Sequence, residues 1–423
     1  MIATFVRLLA IAALLAAAPA AQAAFPGANG LVAFECREQG VPGVCTANPD
    51  GSGRTRILDG ARQPAWSADG RRIAFTVDDT QSGTSWIGIA RPHGGGRRDR
   101  VLEGSSPAWS PDRRLAFIDA AGNLWTADAD GSRLRQLTTD GGRHEALTPQ
   151  GGTWRTVRYS EPDWSPDGRR IAVGHDVYEC VQHGDVGGCR SLEPELLALA
   201  ADGGTRTTII THSDDWSWFP FGRALALATA PPWEDAPAFR ELAVVGANGT
   251  GLRLHEVSGY EPSASPDGRM LAFVRGSRLL TACTDGSRRR ALAGGGARAP
   301  DWQPLPRARG ADRGRCRMPR ARLAPQARAS CGPRHCRLTL RGSLRPPERR
   351  PCGGRVVAGV NSGGDRRARA RAAVSRRCRF SRRIRWREPR ARRFVTLRLR
   401  HTGSAWLGRG PRRTLRIRVR RTG

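Results

Sequence analysis

The sequence predicts an all-β protein, a six-bladed β-propeller followed by a small β-sandwich-like domain. Two observations carry that prediction. A segment of the form Pro-x-Trp-Ser-x-Asp-Gly recurs along the chain as far as Trp302, and a repeat of a few tens of residues fixes an architecture of stacked or radially arranged units. Beyond it, arginine alternates with apolar residues in several short runs, the period of a strand with one buried face.

The chain opens with Met1 to Arg7, an apolar run from Leu8 to Ala18, and Ala21-Gln22-Ala23. That order is the signature of a secretory signal peptide with a small-x-small cleavage site, so residues 1–23 are set apart from the fold. The apolar run falls short of the roughly 20 residues a membrane span needs, and no cysteine follows the cleavage site to take a lipid. The expected location is secreted or periplasmic.

Ten cysteines in an exported chain read as disulfides. Cys36 and Cys45 bracket one turn, Cys180 and Cys189 another, and Cys331 and Cys336 close a very short loop. Cys352 and Cys378 are placed to link two strands, which leaves Cys283 and Cys316 for each other. Zinc is the competing reading, and the absence of any CxxC pair disfavours it.

The repeat begins as Pro64-Ala65-Trp66-Ser67-Ala68-Asp69-Gly70-Arg71-Arg72-Ile73-Ala74-Phe75. Copies run from Pro107 to Phe117, Pro162 to Val173 and Pro262 to Phe273, with a worn copy through Trp218, Pro220, Gly222 and Leu225 to Leu227. The tryptophan position is thus filled at 66, 109, 164, 218, 264 (here Ala264) and 302, which implies six blades. Within a unit, Pro-x-Trp makes a short extended stretch, since proline biases its predecessor toward the β region. The Ser-x-Asp-Gly turn follows, and the apolar triplet after it is a buried strand. A third strand, a second Asp-Gly or Asn-Gly turn and an outer strand complete a four-stranded blade. The first unit starts at Gly30-Leu31-Val32-Ala33-Phe34 without a Pro-x-Trp strand, and Pro300-Asp301-Trp302-Gln303-Pro304 supplies one from the far end. The ring is therefore expected to close by pairing the two ends of the chain. The propeller is expected over residues 24–304, a Pro/Arg-rich linker over 305–322, and the Arg-rich domain over 323–423.

The motif Pro-x-Trp-Ser-Pro-Asp-Gly-Arg-x-Ile-Ala-Phe, followed by Leu-Trp-x-Ala-Asp-x-Asp-Gly-Ser and a later Leu-Thr, resembles the WD-like repeat of the TolB propeller family. The resemblance covers residues 27–304. It implies protein or peptide capture at a funnel over the central channel. The chain departs from TolB itself in passing from the leader directly into the first blade, and in adding a basic C-terminal domain.

The formal charge is +32, and all 70 basic residues are arginine. The charge is unevenly placed. Residues 307–423 hold 38 Arg against Asp312, Glu348, Asp365 and Glu388, a net of +34, which leaves the preceding part at −2. Runs Cys336–Arg341, Arg369–Val374, Cys378–Trp386, Phe394–Arg400 and Thr414–Arg420 alternate arginine with apolar residues, so one face of that domain is cationic. An anionic cell-envelope polymer is the expected partner there. Nucleic acid is disfavoured by the leader, the lack of a binding motif and the scarcity of aromatics for stacking.

No catalysis and no cofactor are expected. There is no Gly-x-Ser-x-Gly elbow, and Ser67-Ala68-Asp69-Gly70 is a turn rather than a sialidase Asp-box. His175, Asp176, His183 and Asp185 fall in one expected loop of blade four, where the Cys180 and Cys189 staple argues for an exposed insertion over a metal site. Asp128-Ala129-Asp130-Gly131-Ser132 lacks the later glutamate of a calcium loop. The better candidate is a binding site. The residues just before each Pro-x-Trp, namely Gln63, Ser106, Glu161, Asp215, Glu261 and Ala299, occupy equivalent places beside the channel. Glu161, Asp215 and Glu261 are expected to form an acidic arc with Tyr159 and Tyr260 nearby, suited to a cationic peptide terminus or side chain. The plainer reading makes these carboxylates solvated strand ends. A hydrolase or lyase acting on extracellular polysaccharide, and a polyanion binder acting through the C-terminal domain, are the alternative functions.

Overall fold

The computed structural model describes residues 25–146, 152–183, 186–192, 194–229, 240–306, 316, 320–333, 335–346, 352–362, 365–387, 393–402, 407 and 410–421. The leader lies outside them. No helix among the described residues is long and apolar enough to cross a membrane.

Six antiparallel sheets stand as blades. Their innermost strands, each opening a copy of the repeat, are Ala61–Trp66 in blade two, Ser105–Trp109 in three, Gly152–Trp164 in four, Ser213–Trp218 in five and Tyr260–Ala264 in six. Blade one is assembled from both ends of the chain. Its innermost strand, Arg298–Leu305, pairs with Ala28–Glu38, setting Val32 opposite Trp302 and Ala33 opposite Asp301. This is the closure that the missing first strand predicts, and it removes the open edges of the ring.

Turn chemistry explains why each copy folds alike. In four blades the serine hydroxyl donates to the aspartate two residues on, as Ser67 to Asp69 at 2.7 Å and Ser165 to Asp167 at 2.8 Å. The glycine that follows in blades two and four takes a left-handed φ, 66° at Gly70 and 65° at Gly168, which L side chains avoid. The outer Asp-Gly-Ser turns are closed likewise, with Asp50, Asp130 and Asp285 each accepting from the serine two residues later. Asp130 is therefore committed to its own turn, and Asp128 pairs with Arg133.

The core lies between blades rather than within them. Ala33 and Val44 of blade one pack with Trp66, Ile73 and Phe75 of blade two, and corresponding clusters fill the other joints. A tryptophan plugs each joint except that between blades five and six, where the sequence has Ala264. There Phe219 and Phe221, stacked at 5.1 Å, fill the space with Phe273. Three of the indoles also bond the preceding blade at 3.1 Å: Trp109 to the Ala65 carbonyl, Trp218 to Asp163 and Trp302 to Ser263. Guanidiniums cover two more faces, Arg114 over Trp164 at 5.0 Å and Arg170 over Trp218 at 5.1 Å, a favourable stacking of cation on ring.

Blade four departs from the expectation of a loop at His175 and Asp176. Strands Gly152–Trp164 and Arg170–His183 run on beyond the ordinary blade, flanked by Gly142–Ala146 and Val186–Ser191. His175 and Asp176 thus sit in a strand, while the His183 side chain and Asp185 lie outside the described residues. Alternating Val173, His175 and Val177 face the core, a period of two that the polar residues obscure in the sequence. Cys180 and Cys189 are directly opposed across two strands.

All ten cysteines are paired as the spacing predicts: Cys36–Cys45, Cys180–Cys189, Cys283–Cys316, Cys331–Cys336 and Cys352–Cys378. Five disulfides fit an extracellular or periplasmic protein.

The C-terminal domain is one seven-stranded sheet. Its order is Asp365–Ala373, Arg355–Ser362, Phe394–His401, Arg413–Arg421, Arg322–Cys331, His335–Arg345, Arg379–Arg387. The first and last of these come close together, so the sheet is nearly closed on itself. The five alternating runs account for five strands. The other two, Arg322–Cys331 and Arg355–Ser362, carry few arginines and escape that pattern. Leu338, Leu340, Val356, Val360, Leu397 and Trp386 face inward, while Arg337, Arg341, Arg385 and Arg398 face out.

Candidate functional site

A cavity of about 340 Å³ occupies the propeller's central channel. It is lined by the start of the innermost strands, and Glu161, Asp215 and Glu261 are brought together there. Gln63, Ser106 and Ala299 complete that tier, as their equivalence in the repeat predicts. Tyr159 and Tyr260 do not reach the cavity. Tyr159 is 1% exposed and donates to Asp140 at 2.9 Å while accepting from Arg206 at 3.0 Å, and its burial pushes the phenol well above its ordinary range. Tyr260 bonds the Gly276 carbonyl within its own blade. Both precede the channel residues by one or two positions, and in a strand neighbouring side chains leave on opposite faces.

The residues before Pro-x-Trp are not extended, as proline's influence on its predecessor would suggest. Gln63, Ser106, Glu161, Glu261 and Ala299 have φ between 45° and 54°, each at a bulge in its strand pairing. Left-handed geometry is costly for these residues, and the gain is visible in what it aims. The freed backbone N–H points into the previous blade: Gln63 to Glu35 at 2.8 Å, Ser106 to Gln63 Oε1 at 3.1 Å, Glu261 to Asp215 at 3.0 Å, Ala299 to Glu261 at 2.6 Å. Asp215 and Glu261 are thus latches between blades as well as a lining. They are neither free ligands nor solvated strand ends.

Two residues further along the strands, about 7 Å deeper, a second tier holds Asp163 and Asp301, from blades on opposite sides of the ring. Each secures the next blade: the Trp218 N–H donates to Asp163 at 2.8 Å and the Trp66 N–H to Asp301 at 2.6 Å. Removal from bulk water raises Asp163 to about 7. Burial, reinforced by repulsion from Asp163, raises Asp301 to about 7 as well. In the first tier burial raises Glu261 to about 7, and Asp215 and Glu35 push in the same direction. The cavity thus holds six carboxylates, those of Glu35, Glu161, Asp163, Asp215, Glu261 and Asp301, against one guanidinium, Arg298.

Glu35, Asp163 and Asp301 are not singled out by the sequence reading. Glu35 belongs to the second strand of its blade, outside the position compared across repeats. Asp163 and Asp301 are the variable residue of Pro-x-Trp, and the signal that finds them is their departure from the Ala65, Ala108, Ser217 and Ser263 of the other blades.

No three His, Cys, Asp or Glu side chains among the described residues are grouped to hold a metal ion. His175 bonds Glu195 at 3.2 Å beneath Tyr159, on the side of blade four away from the channel lining.

The six-sheet ring closed by its own ends, and the repeat that builds it, settle the architecture. The propeller is TolB-like. No protein-family model matches the chain, and no curated protein does. Among solved structures it is similar to "The structure of putative TolB from Agrobacterium tumefaciens", at 16% identity over 63% of this chain and 92% of that one, with a TM-score of 0.42. It is also similar to the β-propeller domain of the Trilobed protease from Pyrococcus furiosus, at 14% identity over 66% and 86% with a TM-score of 0.34. A Pyrococcus horikoshii acylaminoacyl peptidase matches at 12% identity over 81% and 58% with a TM-score of 0.35. Such distant likenesses leave function to the site itself.

Proposed function

We propose that the propeller captures a cationic segment of a protein or peptide, placing an amine or guanidinium in the acidic channel, and that its role is binding without catalysis. The observation that carries the reading is the excess of six carboxylates over one guanidinium around a cavity of about 340 Å³. Unfilled, that arrangement is unfavourable, as the raised Glu261, Asp163 and Asp301 record. A bound cation relieves the repulsion and releases protons from the same groups. The wall also presents Pro64, Pro107, Pro162, Pro262 and Trp216, an apolar surface suited to the body of a peptide behind its charge.

The test uses Glu161→Gln, Asp215→Asn and Glu261→Gln together, since the amides keep an oxygen for the latching N–H groups. Each charge is worth about fivefold at a partly exposed ion pair, so the triple variant should bind an arginine- or lysine-bearing peptide on the order of a hundredfold more weakly. Capture by the parent should also weaken as pH falls from 8 to 6, because Glu261 takes up its proton near 7. Cross-linking in the host secretome supplies the natural partner. Unchanged affinity of the triple variant for that partner removes the proposal.

A further inference from the structure

We propose that the outer face of the C-terminal sheet around Gly359 is a binding site for a linear polymer carrying one phosphodiester per repeat and no bases. The site is set by strand register. Gly359 lies opposite Arg369 on one neighbouring strand and Arg398 on the other, and Val357 lies opposite Arg371 and Arg400. Residues paired in register project from the same face. Neighbouring strands are about 4.8 Å apart and alternate residues about 6.8 Å. Two rows of guanidiniums, about 6.8 Å apart in the strand direction, therefore bracket the strand that carries Gly359. Together with Asn361 and Arg412 they line a depression of about 290 Å³.

Glycine is the residue that opens it. Gly359 is not among the positive-φ glycines, so its backbone does not demand glycine. A Cβ built there would meet only Asn361 Oδ1, at 4.0 Å. The missing side chain leaves a floor between two guanidiniums. No carboxylate competes for them among the described residues, since Asp365, the one acid described in this domain, is held by Arg367 at 3.2 Å.

A carboxylate presents both oxygens in one direction and satisfies a guanidinium on one side. The two non-bridging oxygens of a phosphodiester diverge, so one group seated on Gly359 can accept from Arg369 and Arg398 together. The next phosphate of an extended chain then falls near the Arg371 and Arg400 row. Single-stranded nucleic acid would add base stacking on exposed aromatics. None lines the depression, and Phe394 on a neighbouring strand is covered by the Arg416 guanidinium at 4.3 Å.

The experiment titrates the full chain with fluorescent poly(glycerol phosphate) of defined length between 50 and 200 mM salt, following anisotropy. Gly359→Val, a β-branched residue that suits a strand, fills the floor without changing charge, and affinity should fall at least tenfold. The double variant Arg369→Gln with Arg398→Gln should lose about thirtyfold, and its slope of log affinity on log salt should flatten by about 1.4 for two lost phosphate contacts. Arg328→Gln with Arg420→Gln removes two exposed charges outside the depression and should cost under threefold. Poly-glutamate and an oligothymidylate of equal charge should both bind more weakly than the glycerol polymer. Parent-like affinity in Gly359→Val, equal losses in the two double variants, or tighter binding of the oligothymidylate would each overturn the assignment. The double variants keep the test open should Gly359→Val fail to fold.

Discussion

Replacing Asp163 by asparagine is expected to stabilise the protein at pH 8 by about 2 kcal/mol and to leave its stability at pH 4 unchanged. Asp163 is raised to about 7 by removal from bulk water, above the roughly 3.9 of an unfolded chain. The folded state therefore holds the proton more tightly than the unfolded state. Its contribution to stability is full below about pH 4 and is lost as pH rises through 7. Asparagine keeps an oxygen for the Trp218 N–H, bonded at 2.8 Å in the parent, and carries no charge to desolvate. Full burial would make the gain nearly twice as large, but Asp163 also faces the channel cavity, whose water screens it. Asp301→Asn should behave alike, since Asp301 also stands near 7. The pair should be less than additive, because part of the rise at Asp301 is repulsion from Asp163, and either substitution removes it. Urea unfolding followed by tryptophan fluorescence at pH 8 and pH 4 reads both effects. A loss of stability at pH 8 in either variant would contradict the desolvation argument. Two carboxylates that weaken the fold at neutral pH are what a site retained for binding looks like.

The ring was legible in the sequence because its information is local and repeated. Pro-x-Trp and Ser-x-Asp-Gly fix a strand and a turn in each copy, and the unmatched Pro300 to Pro304 announces the closure. The acidic arc of Glu161, Asp215 and Glu261 was legible for the same reason, since equivalent positions of a ring must meet at its axis. What escaped depends on contacts between copies. The left-handed φ at Gln63 and its equivalents is chosen by an acceptor in the preceding blade, against the local preference of a residue before proline. Tyr159 and Tyr260 were misplaced because nearness in sequence to a channel residue says nothing about which face a side chain takes. The long strands around His175 were hidden by a polar outer face. In the C-terminal domain alternation found the arginine-bearing strands, yet Gly359 has meaning only once Arg369 and Arg398 are known to flank it.

Replacing Trp302 by alanine should cost about 4 kcal/mol and should loosen one strand ahead of the rest. Trp302 is 3% exposed, packs with Val32, Phe34, Met270 and Ala272, and donates to the Ser263 carbonyl at 3.1 Å. Those partners belong to blades one and six, so the indole fills the joint where the two ends of the chain meet. Strand Arg298–Leu305 is the innermost of its sheet and pairs with only one other strand, Ala28–Glu38. Once Trp302 is truncated, little but that pairing retains the strand, and it should open without the other blades unfolding. Native-state hydrogen exchange reads this directly. The amides of residues 298–305 should exchange about three decades faster than in the parent, since each factor of ten corresponds to about 1.4 kcal/mol. Those of the central strand Ala224–Thr229 should keep the protection set by global unfolding. Trp218→Ala is the comparison. It empties an equally buried joint, but between blades four and five, whose strands are each continuous with their neighbours in sequence, so its loss should appear as a uniform fall. Trp302→Phe should recover most of the protection, lacking chiefly the indole N–H bond, worth about 1 kcal/mol. If residues 298–305 stay as protected in Trp302→Ala as the strand Ala224–Thr229, the ring is held closed by something other than the pairing of its two ends.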